Sequence, residues 1–168
     1  YEDTQSDIVC ASPVRRTLIF VVLIYVVGAI AVGIYWSFFP STPNINSVVQ
    51  HQLALLKVPA SYTRLAQGNL PKGVATTSAL ITVSETLLDK SGGYIANDIM
   101  PPGLWLDDMP HWELGVVHQI RETTQSLRAS FSQSNLNHEL DVDLQKAEVR
   151  FNFSHASWSF PATESQYR

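Results

Sequence analysis

Hydrophobic positions along this chain fall into one unbroken block followed by several periodic stretches. From Leu18 to Phe39 the chain reads LIFVVLIYVVGAIAVGIYWSFF, and no charged residue occurs between Arg16 and Lys57. A helix rises 1.5 Å per residue, so about 20 such residues cross a hydrocarbon core of roughly 30 Å with every backbone polar group paired internally. The block therefore predicts a transmembrane helix over residues 17–39. Beyond it, Thr42-Pro43 offers an N-cap with proline at N1, and Ile45, Val48, Val49, Leu53 and Leu56 recur at helical spacing to near Val58-Pro59. After a polar stretch containing Gly68, Pro71 and Gly73, a second helix places Val74, Thr77, Leu80, Ile81, Ser84, Leu87 and Leu88 on one face, and Gly92 stops it. The β-branched run from Ala75 to Val83 leaves a strand there as an alternative. Residues 92–110, GGYIANDIMPPGLWLDDMP, hold too many prolines and glycines for a regular element. A third helix, about Met109 to Ser134 with Asp108 as cap, puts Trp112, Val116, Ile120, Leu127 and Phe131 on one side and leaves Arg121, Glu122 and Arg128 to solvent. Leu140, Leu144, Ala147 and Phe151 predict a fourth helix to about Arg150, then an extended tail through Trp158, although Val149, Phe151 and Phe153 also alternate like a strand. Thr163, with Glu164 and Gln166 after it, looks like the start of a helix whose body is absent.

The expected fold is all-α: one N-terminal transmembrane helix, then a small helical domain with a long Pro/Gly/Trp-rich loop. Charge orients it. Arg15 and Arg16 abut the apolar block on its N-terminal side, whereas the nearest cations on the other side lie at or beyond the ~15–20 residues that count for topology. Residues 1–16 are thus a cytoplasmic tail and residues 40–168 a domain on the far side, with Tyr35 and Trp36 at the outer interface where amphipathic rings favour the headgroups. The rival reading is a secretory signal peptide cut at Ala29-Ile30-Ala31; the apolar stretch continues past that site, and the segment before the arginines is long for an n-region. Ala29 and Gly33 have the small-xxx-small spacing at which two such helices approach closely, and nothing else in the sequence asks for a homodimer.

Of the 168 residues about 128 follow the apolar block, enough for one small domain. That part carries nine Lys+Arg against twelve Asp+Glu and no cationic stripe, which argues against nucleic acid as a partner. Cys10 is the only cysteine and lies on the inner side, so no disulfide staples the outer domain. The chain opens on Tyr1 and closes on Arg168 in mid-pattern, and truncation at the C-terminus is expected.

The string GGY…ND…PPG…WLD…P.WE within Leu87–Arg128, together with FNFSHASWSFPATESQYR over Phe151–Arg168, resembles the bacterial domain-of-unknown-function family 2333 across most of residues 15–168. The resemblance implies an inner-membrane protein of Gram-negative bacteria with one N-terminal transmembrane helix, a periplasmic domain and a chain longer at its C-terminal end. It implies no activity, cofactor or catalytic residue.

Candidate chemistry is sparse. His111, His118 and Glu122 lie along one helical side, but HExxH and Glu-x-x-His are both absent, so a solvated polar face is the simpler reading. His138-Glu139 and His111-Trp112-Glu113 mimic fragments of zinc motifs without downstream partners. Asp107-Asp108 lacks the opposed geometry that glycan hydrolysis needs, since adjacent residues point apart. No catalytic, metal or cofactor residue is assigned. Long ordered loops are often functional, and the loop residues Tyr94, Asp98, Trp105, Asp107, Asp108 and Trp112 form the candidate partner-binding surface. The expected role is a scaffold or accessory subunit touching the lipid bilayer and other envelope proteins; an envelope enzyme acting on glycan or lipid, with the aspartates of that loop, is the alternative.

Overall fold

Helix α1 runs from Pro13 to Trp36 and exposes nearly every side chain along its length. Proline at N1 costs nothing, because its missing N–H would be an orphan there. The helix stops three residues short of the apolar block's end. Ser37 turns its hydroxyl and its amide back onto the Gly33 carbonyl, at 2.8 and 3.0 Å, and Pro40 bars continuation. The computed structural model describes residues 13–55, 73–134 and 141–168. Among these every regular element is helical, so the strand alternatives at Ala75–Val83 and Val149–Phe153 do not materialise.

Helix α2 spans Ile45–Leu55 and buries Val48, Val49 and Gln52. Its cap is Asn44 rather than Thr42: the Asn44 Oδ1 accepts the Asn46 amide at 2.9 Å, which places the Asx turn one step beyond the proline. The expected end near Val58-Pro59 and the polar stretch after it lie outside the described residues, as do the tail with Cys10, the start of the fourth helix at Leu140, and His138-Glu139.

Helix α3 (Val74–Asp89) packs between α2 and the long helix α4 (Asp108–Ser134), and α5 (Val142–Phe151) lies along α4. The core comprises Leu87 of α3, Tyr94, Val117 and Ile120 of α4, and Tyr167 from the last helix, with Leu80, Leu88, Trp112, Val116 and Phe151 against them. The buried line of α4 is Met109, Glu113, Val117, Ile120, Thr124 and Leu127. It coincides with the predicted apolar side at Ile120 and Leu127 but includes two polar residues that an apolar stripe passes over. The spacing is helical throughout.

Two expectations fail at the C-terminal end. Arg121 is half-buried and engaged rather than free in solvent: its guanidinium donates to the carbonyls of Phe151 at 2.6 Å and Phe153 at 2.8 Å, and to the Tyr167 hydroxyl at 3.2 Å. Arg128 likewise pairs with Glu148 of α5 at 2.6 Å. The tail is not extended either. Those carbonyls, released at the end of α5, are gathered by Arg121, and the chain turns back into a short helix α6, Thr163–Tyr167. Thr163 does start a helix, but as a fully buried first residue: its hydroxyl donates toward the Ser154 and Ser157 carbonyls at 2.9 and 3.1 Å and accepts the Ser157 amide at 3.1 Å.

Candidate functional site

The connection from α3 to α4, residues 90–107, folds around one carboxylate. Glu113 faces inward from the second turn of α4 and is fully buried. Lys90, just past the end of α3, buries its ammonium 2.5 Å from the Glu113 Oε1, and also donates to the Gly93 carbonyl. Gly92 and Gly93 take φ of +86° and +68°, values that L side chains rarely adopt, and so reverse the chain across the start of α4. The reversal aims two successive amides at the same carboxylate. Ile95 N–H donates to both oxygens at 2.9 and 3.0 Å, and Ala96 N–H to Oε2 at 2.6 Å. Burial pushes the Glu113 carboxyl above the usual range, and Lys90 and the two amides pull it back without cancelling that effect. All the geometry points inward. The carboxylate ties a loop down; it offers no open coordination or substrate position.

The same loop clasps the C-terminal end of α1. A Cβ on Gly92 would lie 2.7 Å from Cδ2 of Trp36, so the indole rests on the glycine backbone. One turn lower, the Gly33 Cα faces the Cβ of Pro102 and Cδ2 of Leu106, which a Cβ there would meet at 3.6 and 3.8 Å. Phe39 crosses edge-on to Trp112 with ring centroids 6.2 Å apart. Gly33, read from sequence as half of a small-xxx-small pair, is thus covered by the chain's own loop.

The candidate residues divide into two sets. Tyr94 is buried, its hydroxyl donating to the His155 carbonyl at 3.0 Å and its ring edge-on to Tyr167. Its phenol is pushed far up, first by burial. Trp112 packs into the core beside Phe39. Trp105, Asp107 and Asp108 face outward instead, and Asp107 meets His111 of the next turn, at 3.3 Å. His118 and Glu122 are exposed as well. Tyr35 is exposed beside the half-buried Trp36, and Arg15 and Arg16 are exposed at the other end of α1. Asp98 stands apart from its neighbours in sequence. It is half-buried in a cleft of about 530 Å³ that Tyr94, Glu164 and Arg168 also line. Burial first, then the Glu164 charge, raises its carboxyl above the ordinary 3.8, against an opposing pull from Lys90. Asn97 next to it donates to the Ser157 carbonyl at 2.9 Å and to Glu164 at 3.1 Å, linking the loop to α6.

A family model of uncharacterised proteins conserved in bacteria, domain of unknown function 2333, matches residues 11–168. The chain belongs to the DUF2333 family. Neither a curated protein nor a solved structure matches it. The DUF2333 match spans all the elements above, and the stretch Leu87–Arg128 within it contains both members of the buried pair, Lys90 and Glu113, with the loop between them. That pair is hard to read from sequence, where its only signal is a lone Glu on an otherwise apolar side and a Lys after a helix end. In this chain the single helix long and apolar enough to cross a membrane, among the described residues, is α1.

Proposed function

We propose that this DUF2333 chain is a bitopic protein of the bacterial inner membrane, with residues 1–16 in the cytoplasm and residues 40–168 in the periplasm. It works as a non-enzymatic scaffold or accessory subunit of an envelope complex. One observation carries the reading: the anchor helix is packed against the domain's own loop through Trp36–Gly92, Gly33–Pro102 and Phe39–Trp112. A tethered enzyme gains from a slack linker that lets it search for substrate; a body fixed to its membrane helix suits holding other components at one height and orientation. Glu113 of α4 and Lys90 hold that loop in place through the buried ion pair and the Ile95 and Ala96 amides. What remains for outside contact is the loop tip that bears Trp105. In-cell crosslinking followed by purification in mild detergent should recover defined envelope proteins with the chain, and recovery of the chain alone would defeat the scaffold reading. Alanine at Asp107 or Asp108, both exposed, should leave that recovery unchanged.

The enzyme reading has one observation in its favour, the cleft where burial, and then the Glu164 charge, raise the Asp98 carboxyl above its ordinary value. Glu164, however, is already engaged by Asn97. Loss of the cellular function on Asp98→Asn, with the fold intact, would favour an envelope enzyme acting on glycan or lipid.

A further inference from the structure

Four large apolar side chains of the loop tip, Ile99, Met100, Leu104 and Trp105, are 56, 64, 60 and 54% exposed within seven residues. Soluble surfaces rarely gather such a patch without something to cover it. Its height along α1 says what covers it. If the hydrocarbon begins at Leu18, about 20 residues bring its far boundary to near Ser37, so Gly33 lies four residues, or ~6 Å, inside that boundary. Pro102 and Leu106, which close the tip on either side of Leu104 and Trp105, are in contact range of Gly33. The tip is therefore level with the outermost hydrocarbon, within the ~5–10 Å at which interfacial segments bury their apolar faces.

Charge follows the same boundary. Residues 99–106 contain no ionisable side chain, and aspartates return on both sides, at Asp98 and at Asp107-Asp108. No lysine or arginine occurs between Lys90 and Arg121. We infer that residues Ile99–Leu106 form a second, monotopic membrane contact that dips into the outer leaflet alongside α1, held by apolar area rather than by anionic headgroups. Trp105 sits at the interface, where its ring is favoured. The aspartates mark the level at which the chain leaves the lipid. With the span and this foothold, the domain contacts the bilayer at two points, which fixes its tilt and its rotation about the helix axis.

The inference rests on the reading of α1 as a membrane span, and the experiment separates the two. Full-length chain, with Cys10→Ser, carries one cysteine at Leu104, Met100, Val27 or Val149, each labelled with an environment-sensitive fluorophore. It is reconstituted in vesicles of phosphatidylethanolamine and phosphatidylglycerol carrying spin-labelled acyl chains. The expected result is blue-shifted emission at positions 104 and 100, with most of it lost to a shallow spin label. Position 27 should be quenched by a deep label and position 149, on α5, by neither, and added salt should leave this pattern unchanged. Quenching at 27 without quenching at 104 and 100 overturns the second contact while the anchor stands. No quenching at any position removes the anchor, and the inference with it. Crosslinking of position 104 to a second copy, with shielding from lipid quenchers, assigns the patch to self-association and equally overturns the proposal. Measurement at both 104 and 100 guards against a local failure of one variant.

Discussion

At the scale of single residues, Glu113 and Lys90 hold the loop. Removing one member of a buried ion pair typically costs about 3–5 kcal/mol, because the other charge is left without a partner. The two members are unequal here. Lys90→Met leaves the carboxylate with the Ile95 and Ala96 amides, whereas Glu113→Ala leaves the buried ammonium with only the Gly93 carbonyl and deprives both amides of their acceptor. Denaturant unfolding in detergent should therefore order the proteins wild type, Lys90→Met, Glu113→Ala, from most to least stable. Asp98 supplies a test by pH. Its carboxyl is raised in the folded chain, so its contribution to stability is present below the ordinary value of 3.8 and disappears as pH climbs through the raised one. Wild type should lose stability relative to Asp98→Asn over that rise, and a stability difference that stays flat with pH would contradict the assignment. The sequence makes Asp98 visible as a loop carboxylate. It does not reveal Glu164 opposite, 66 positions later, because only the fold back of α6 brings them to one cleft.

At the scale of elements, the apolar block and the three longer helices of the domain were legible because burial at 3.6-residue spacing is written in side-chain type. Departures arise where polar groups do the packing. Glu113 and Thr124 occupy the buried line of α4, and Thr124 turns its hydroxyl onto the Ile120 carbonyl at 2.8 Å, so neither looks apolar in sequence. The end of the chain reads as extended in sequence because the partner of its carbonyls, Arg121, lies thirty or more residues upstream. The junction of α1 with the loop was not legible at all, since it depends on what glycine lacks. Gly92→Ala tests that junction. A non-glycine residue in the left-handed region costs about 1–2 kcal/mol, and the new methyl also displaces the Trp36 ring. Hydrogen exchange over residues 92–106 should quicken in this variant. Trp36→Ala in the same chain should relieve the collision but not the backbone cost, so the double variant should recover only part of the stability.

At the scale of the molecule, an apolar helix, a loop folded on a buried ion pair and a small helical body act as one object. The helical class and the apolar helix are legible directly from the pattern of apolar positions. In the proposed topology Arg15 and Arg16 set the side of the membrane on which the body lies. Cys10, the chain's only cysteine, makes the test direct. In spheroplasts, a membrane-impermeant maleimide should leave Cys10 unmodified until the inner membrane is opened. A cysteine introduced at the exposed Val149 of α5, in a Cys10→Ser chain, should react at once. Immediate labelling of Cys10 with protection at position 149 would invert the topology, and release of the chain by alkaline carbonate would remove the membrane span on which the account stands.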